Sequence, residues 1–315
     1  MLYQDILHAI GDTPLVRLGH SSPKPGVNIY AKLEGHNPTG SLKDRIALNM
    51  INAAEKSGEL TPDRTILEAT SGNTGISLAM VARVRGYGLL SVLPDFVTPE
   101  REQLLRAFGA EVVIAKDARS TNDAIYMAQR MLQEEPDRYY MPDQFGNEAN
   151  PRAHYETTSL EILRDLPQIN AFVAGLGTGG TLTGVGHRLK EHNSDIKVVA
   201  AVPCPGDPVQ GLRSLEEGFL PSILDESVLD GRILVRSRPA FASTKELMEK
   251  EGIFAGISAG AVMLTAQRVA ERMERGNIVV LLADGGWKYL STRLWTKAYE
   301  DPAPEEDEIE DKVWW

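Results

Sequence analysis

An α/β protein with two doubly wound, open-sheet lobes is the fold class this sequence predicts, on three observations. Short, β-branched apolar runs alternate with helical stretches along the first half, which implies parallel strands with crossover helices. The alternation breaks at the turn-rich stretch Gly146-Asn147-Glu148-Ala149-Asn150-Pro151 and then restarts. The 315 residues are enough for two domains, each with a core, and a cleft between them.

In the first half, Val27 to Leu33 reads as a strand, followed by a helix that starts near Leu42. Thr65 to Leu67 is a strand and 73–85 a helix; Leu89 to Leu93 is a strand and 98–107 a helix; Val112 to Ala115 is a strand and 120–134 a helix. In the second half, a helix over about 153–164 precedes the strand Ala171 to Ala174. A Gly-rich loop then leads into a helix ending near 191, and Lys197 to Val202 is the next strand. Residues 204–231 are irregular, rich in Pro, Gly and Asp. A strand at 232–235, helices at about 243–251 and 258–274, and the strand Ile278 to Leu282 complete the pattern. The tail differs in character: 301–312 is acidic, a composition that usually stays solvated, yet the chain ends Val313-Trp314-Trp315.

Composition removes several function classes. Hydrophobic content of 42% and charged content of 24% are ordinary for a globular protein. A net charge of -11 disfavours nucleic acid or an anionic membrane as the main partner. Cys204 is the single cysteine, which forbids an internal disulfide and fits a reducing compartment. The start MLYQDILHAIGDTP has neither the basic region nor the apolar run of a signal peptide, and no apolar run reaches membrane-spanning length, so the cytosol is the expected home.

Lys43 is the most informative residue. It lies in Asn37-Pro38-Thr39-Gly40-Ser41-Leu42-Lys43-Asp44-Arg45, where Ser41 and Asp44 have capping-box spacing. Ile46, Ala47, Met50, Ile51 and Ala54 follow it at helical spacing, so the amine heads an apolar stripe. Desolvation disfavours an ammonium and turns the amine into a nucleophile or base, as a Schiff base needs. Taken alone, the helix favours a stem that snorkels its charge into water.

Three loops carry further chemistry. Gly175-Leu176-Gly177-Thr178-Gly179-Gly180-Thr181 joins a strand to a helix, and its backbone N–H groups and hydroxyls suit a phosphate without any lysine or arginine. It also matches G-x-G-x-x-G, but the next strand ends Val199-Ala200-Ala201-Val202-Pro203-Cys204 with no carboxylate for a ribose, which argues against a dinucleotide enzyme. Thr70-Ser71-Gly72-Asn73-Thr74-Gly75 presents donors at a helix start that suit a carboxylate, although Ser and Thr cap helices everywhere. In Gly256-Ile257-Ser258-Ala259-Gly260-Ala261, Ser258 reads first as an N-cap; the serine-hydrolase elbow it matches fails because no histidine follows it. The six histidines and one cysteine form no metal-ligand spacing, so no metal is expected.

Together these segments resemble the fold-type II pyridoxal-phosphate family, and within it the cysteine synthases. The similarity runs from Ile10-Gly11-Asp12-Thr13-Pro14-Leu15-Val16 through Lys43, the Thr70 loop, the Gly177 loop and Ser258 to Asp284-Gly285-Gly286-Trp287-Lys288-Tyr289-Leu290-Ser291-Thr292. The resemblance implies a smaller N-terminal domain of 1–11 and 35–145, a larger C-terminal domain of 12–34 and 146–300, an acidic tail of 301–315, and an active site in the cleft between the domains. It implies that Lys43 anchors pyridoxal 5'-phosphate covalently, that Gly177, Thr178, Gly179 and Thr181 hold its phosphate, that Asn73 bonds its 3′ oxygen and Ser258 its ring nitrogen. Thr70, Ser71, Asn73, Thr74 and Gln144 would bind the substrate carboxylate. The implied reaction is β-replacement on an O-activated L-serine through an α-aminoacrylate, giving L-cysteine.

The segment Gly211-Leu212-Arg213-Ser214-Leu215-Glu216-Glu217-Gly218-Phe219 resembles the subgroup that uses O-phosphoserine, where an arginine at the position of Arg213 contacts the substrate phosphate; O-acetylserine is the next candidate. On the residues alone, Arg213 could equally pair with Glu216 or Glu217 at the surface. Trp287 and the aromatic C-terminus also resemble this subgroup, whose tail folds over the active site. The implied partners are an amino-acid substrate and sulfide or another sulfur donor, a thiocarboxylated small carrier protein among them, and a second copy in a homodimer. Two departures stand out: relatives read Gly-Pro-Glu where this chain has Ser159-Leu160-Glu161, and Val202-Pro203 lacks a glutamate common in relatives. A cystathionine β-synthase-like enzyme, a β-elimination lyase and a non-catalytic partner-binding homologue are the alternatives.

Overall fold

A computed structural model describes residues 2–70, 72–94, 98–115, 121–217, 220–297 and 311–313. Two compact units emerge, Met1–Ile10 with Asn37–Asn150 and Gly11–His36 with Pro151–Trp315. The chain visits the second unit early, laying down β1 (Leu15–Arg17) and β2 (Val27–Leu33) as an antiparallel pair. The three residues of β1 are too short for a periodicity to show, and the sequence pattern gives no strand there.

The first unit contains α1 (Lys43–Ser57), β3 (Thr65–Ala69), α2 (Asn73–Arg85), β4 (Gly88–Pro94), α3 (Pro99–Ala107), β5 (Glu111–Ala115), α4 (Thr121–Glu134) and β6 (Tyr139–Tyr140). Its four-stranded sheet runs β5-β4-β3-β6, every pair parallel. Successive residues of β3 and β4 serve opposite faces. Ile66, Leu89 and Leu93 pack with Ala47, Ile51, Ile76 and Leu105 from α1, α2 and α3. Leu67, Leu90 and Val92 pack with Ala124 and Ala128 from α4. Both faces are covered, as a parallel sheet requires.

The chain passes from the first unit into the second within α5 (Ala149–Ala153), and the second unit continues with a π-helical turn at His154–Thr158, α6 (Ser159–Asp165), β7 (Ala171–Gly175), α7 (Gly180–His192), β8 (Lys197–Pro203), β9 (Gly231–Val235), α8 (Ser237–Glu251), α9 (Ala259–Glu271), β10 (Gly276–Leu282) and β11 (Asp311–Val313). Its seven-stranded sheet runs β1-β2-β10-β7-β8-β9-β11. The five central strands are parallel; β1 and β11 are antiparallel edges. Ile29, Ala31, Val199, Ile233, Val280 and Leu282 meet Val262, Met263, Ala266 and Val269 of α9 in the main core.

Three differences from the sequence reading have local causes. The helix expected over about 153–164 is one continuous rod with a π turn inside it, a device hydrophobic spacing does not reveal. The α8 helix begins at Ser237, several residues before the expected 243, because Pro239 falls in its first turn, where its missing N–H costs nothing. At the expected capping box, Ser41 Oγ accepts from Lys43 N at 3.3 Å. Leu42 is the N-cap of α1, and the Asp44 carboxylate reaches back past Ser41 to accept from Thr39 N at 2.7 Å and from Ser77 Oγ at 2.6 Å.

The departure at Ser159-Leu160-Glu161 keeps the residue that matters. Glu161 accepts from Asp12 N at 3.0 Å and pairs with the buried Lys32 ammonium at 2.6 Å. Lys32 also donates to Thr13 O at 2.6 Å, and Thr13 Oγ1 donates to Glu34 at 2.7 Å. The Gly11-Asp12-Thr13-Pro14 segment is thereby tied to β2 and α6. The described tail residues form β11 along the first half of β9, with Val313 opposite Gly231 and Asp311 opposite Ile233. Glu305 to Glu310, Trp314 and Trp315 lie outside the described residues.

Candidate functional site

In the first unit the expected residues gather at the C-terminal ends of the parallel strands, where open α/β sheets place their ligands. Lys43 opens α1 half-buried, with its N–H directed to Ser41 Oγ at 3.3 Å. The predicted stripe behind it is buried in full: Ile46, Ala47, Met50, Ile51 and Ala54. Asp44, fully buried, binds Thr39 and Ser77 and so locks the segment before Lys43 onto α2.

The Thr70 loop follows β3 and leads into α2. The helix N-cap is Gly72, with no side-chain capping bond, and no acidic residue lies in the first turn. Helix N–H groups and the positive end of the dipole are therefore presented to an incoming anion. Thr74 Oγ1 donates instead to Gln144 Oε1 at 2.6 Å, a contact between residues 70 apart in the chain that brings two expected carboxylate ligands together. With Oε1 occupied, Gln144 offers its amide N–H groups to a ligand. Gln144 is fixed from behind by Asn150 Nδ2, which donates to Gln144 O at 2.8 Å. Thr70 is buried beside Gly75, where an added Cβ would meet its Cγ2 at 2.5 Å. Ser71 lies outside the described residues.

In the second unit, the Gly177 loop joins β7 to α7. Gly179 is the N-cap of α7 at φ +86, in the left-handed region, and a Cβ there would stand 2.7 Å from Leu224 Cβ. At Gly177 an added Cβ would come within 3.0 Å of Gly211 O. The first turn of α7 holds no acidic residue and no side-chain cap, and Thr178 Oγ1 accepts from Gly180 N at 3.3 Å. Arg213 belongs to the segment laid over this loop. Its backbone N–H donates to Leu176 O at 2.7 Å, one residue before Gly177. Gly218 and Phe219 of that segment lie outside the described residues.

Ser258 is the N-cap of α9 by position but not by bonding. Its φ and ψ of -74 and -11 are helical and its hydroxyl makes no capping bond. The Gly260 N–H, which a cap would take, donates to Thr244 Oγ1 at 2.9 Å. A buried hydroxyl that the helix does not use is what a ligand-binding role requires.

Two residues escaped the sequence reading. His154, fully buried in the π turn, lies between Thr158 Oγ1 at 2.9 Å and Thr181 Oγ1 at 3.2 Å, behind the Gly177 loop. Glu68 is a fully buried carboxyl on β3, pushed up to about 8 by burial and by the nearby Asp143 carboxylate. A charged residue inside an otherwise apolar strand was the available signal for Glu68; His154 had none.

The pyridoxal-phosphate dependent enzyme family matches residues 6–284. The chain belongs to this family. Within it the cysteine synthases are its relatives. A probable cysteine synthase of Bacillus subtilis (strain 168) is 44% identical over 299 residues, covering 91% of this chain and 96% of its own. Cysteine synthase B of Escherichia coli (strain K12) is 40% identical over 284 residues, covering 90% and 93%. The crystal structure of an O-ureido-L-serine synthase superposes with a TM-score of 0.88 at 38% identity, covering 97% of this chain and 98% of that one. The chain is thus a pyridoxal-phosphate enzyme of the cysteine synthase type.

The residues present fit the cofactor's phosphate. The Gly177 loop combines a left-handed turn, an uncapped helix start, two threonine hydroxyls and no carboxylate, a donor set matched to a phosphate dianion. Bulk at Gly177 or Gly179 would fill this turn. Among the described residues no cluster of His, Cys, Asp or Glu could hold a metal ion, and no helix is long and apolar enough to cross a membrane.

Proposed function

We propose that this enzyme makes L-cysteine by β-replacement on an O-activated L-serine, with O-phosphoserine the favoured substrate and O-acetylserine the next. The observation that carries the phosphate preference is the bond from Arg213 N to Leu176 O, which holds an arginine beside the glycine loop. A guanidinium fork suits a phosphate dianion and gains little from a neutral acetyl ester.

Bound pyridoxal phosphate supplies the electron sink that makes the substrate α-proton acidic. Gly177, Thr178, Gly179 and Thr181 would hold its phosphate, Asn73 its 3′ oxygen and Ser258 its ring nitrogen. Lys43 would be its covalent anchor. Thr70, Ser71, Asn73, Thr74 and Gln144 bind the substrate carboxylate and so fix the orientation of the α-carbon. The Lys43 Nζ amine would remove the α-proton; phosphate would leave the β-carbon with its bonding pair and be held by Arg213. A sulfur nucleophile then forms the new bond at the β-carbon, and Lys43 returns the proton to the α-carbon. The sulfur comes from sulfide or from a thiocarboxylated small carrier protein. A homodimer in the cytosol is part of the same reading.

The likeness to O-ureido-L-serine synthase supports a second reading, in which an oxygen nucleophile adds at the same β-carbon. Competition between sulfide and a hydroxylamine-type nucleophile separates the two. The leaving group is tested by kcat/KM for both serine esters in wild type and Arg213→Ala. Loss confined to O-phosphoserine supports the proposal; equal losses on both esters remove it.

A further inference from the structure

Helix α9 begins beside Ser258 without using its side chain. Ser258 is 9% exposed, and its φ and ψ of -74 and -11 are helical. A serine that caps a helix sits in the extended region and takes the N–H of the second or third helical residue. Those residues are Gly260 and Ala261. The Gly260 N–H goes instead to Thr244, a fully buried residue of α8.

The Thr244 hydroxyl holds the chain on both sides of Ser258. Oγ1 accepts from Gly260 N at 2.9 Å, and its one proton lies between Ile257 O at 3.1 Å and Ala240 O at 2.9 Å. Gly260 makes this reach possible. A Cβ there would collide with Ala240 O and stand 2.7 Å from Thr244 Oγ1, so α8 and α9 touch where α9 starts.

The turn before Ser258 is fixed as well. Gly256 N donates to Asp284 O at 2.9 Å, and Ala259 N donates to Gly256 O at 3.0 Å. A Cβ on Gly256 would run into the Asp284 carboxyl, to which the buried Tyr289 hydroxyl donates at 2.5 Å. Ser258 therefore rides on a turn anchored by α8 on one side and by the segment after β10 on the other.

A helix N–H left unpaired in the interior costs free energy, so some acceptor has to take it. Without the Thr244 hydroxyl, the acceptor nearest in sequence is Ser258 Oγ, which would turn toward the helix. Resting on the ring-nitrogen role given to Ser258 above, we propose that Thr244 is a positioning residue: it caps α9 from the neighbouring helix, and so keeps the Ser258 hydroxyl free for the ring nitrogen of pyridoxal phosphate.

The test compares full-length wild type, Thr244→Ser, Thr244→Val, Ser258→Ala and the double variant of the last two. Thr244→Val keeps the shape and loses the hydroxyl; Thr244→Ser keeps the hydroxyl. The readouts are the cofactor's visible band in the holoenzyme, the affinity of the apoenzyme for pyridoxal phosphate, and amide hydrogen exchange at Gly260. We expect Thr244→Val to move the band in the same direction as Ser258→Ala and to weaken affinity about fivefold, with Thr244→Ser close to wild type. Adding Ser258→Ala to Thr244→Val should weaken affinity by less than about twofold more, because the serine has already been drawn away. A wild-type band and affinity in Thr244→Val, or losses that simply multiply in the double variant, overturn the proposal.

Exchange at Gly260 judges the cap without reference to the cofactor. Thr244→Val should speed it about fivefold, and the double variant should speed it further. Ser258→Ala alone should leave it unchanged. A faster rate in Ser258→Ala would make Ser258 the cap and overturn the proposal even if Thr244→Val does not fold. If Ser258→Ala changes neither band nor affinity, the ring-nitrogen role fails; exchange unmoved by Thr244→Val sinks the role of Thr244 by itself.

Discussion

The Thr74 hydroxyl donates to Gln144 Oε1 at 2.6 Å, so the start of α2 and the turn after β6 act as one jaw. Thr74→Val removes the donor while keeping the shape. Gln144 then loses its fixed orientation, and a buried acceptor is left unpaired at a cost of about 1–3 kcal/mol. Steady-state kinetics on either serine ester should show kcat/KM lowered about tenfold or more, mostly through KM. An unchanged KM would mean that the pair orients nothing the substrate meets.

His154 stands behind Thr181 at 3.2 Å and is itself held by Thr158 at 2.9 Å. With the ring fixed on both sides, the Thr181 hydroxyl is held in place, as the phosphate-binding role proposed for it requires. His154→Ala should weaken pyridoxal phosphate binding to apoenzyme about tenfold, read by fluorescence titration, and Thr181→Ala should do as much. The double variant should lose less than the sum of the two. Strict additivity would show that the two residues act independently.

The Lys32–Glu161 pair is buried, with side chains 0% and 9% exposed. Removing one partner strands a charge in the interior. Glu161→Gln should cost about 3–5 kcal/mol in urea unfolding of the second unit, whereas replacing both partners by apolar residues should cost much less. Equal losses would assign the cost to packing alone.

The backbone of β11 covers the outer edge of β9 from Gly231 to Ile233. Deleting 311–315 exposes N–H and C=O groups of an edge strand, a template for pairing with another chain. Light scattering should show self-association that grows with concentration. A truncated chain that stays as soluble as the full one would contradict a protective role for β11.

Legibility tracked the range of the signal. The boundaries of α2 match the sequence reading residue for residue, because Gly72 and Gly86 punctuate an apolar run on both sides. The buried stripe behind Lys43 was visible as a helical period. What the sequence concealed was set by residues far away in the chain. Asp44 looked like half of a capping box with Ser41, but Ser77, 33 residues on, competes for its carboxylate. Ser258 looked like an N-cap because nothing local announces that Thr244 satisfies the helix N–H. Strands β1, β6 and β11 are two or three residues long, too short for any period to register. Glu68 reads as a polar interruption of a strand until Asp143 appears beside it.

The central claim, an O-activated serine bound with its leaving phosphate at Arg213, is tested most directly by the visible absorption of the holoenzyme titrated with O-phosphoserine and, separately, with O-acetylserine. The account predicts that the cofactor band shifts at a much lower concentration of O-phosphoserine, that Arg213→Ala abolishes this advantage, and that Lys43→Ala turns over neither ester. A band that responds to O-acetylserine alone, or an advantage that survives in Arg213→Ala, would contradict it.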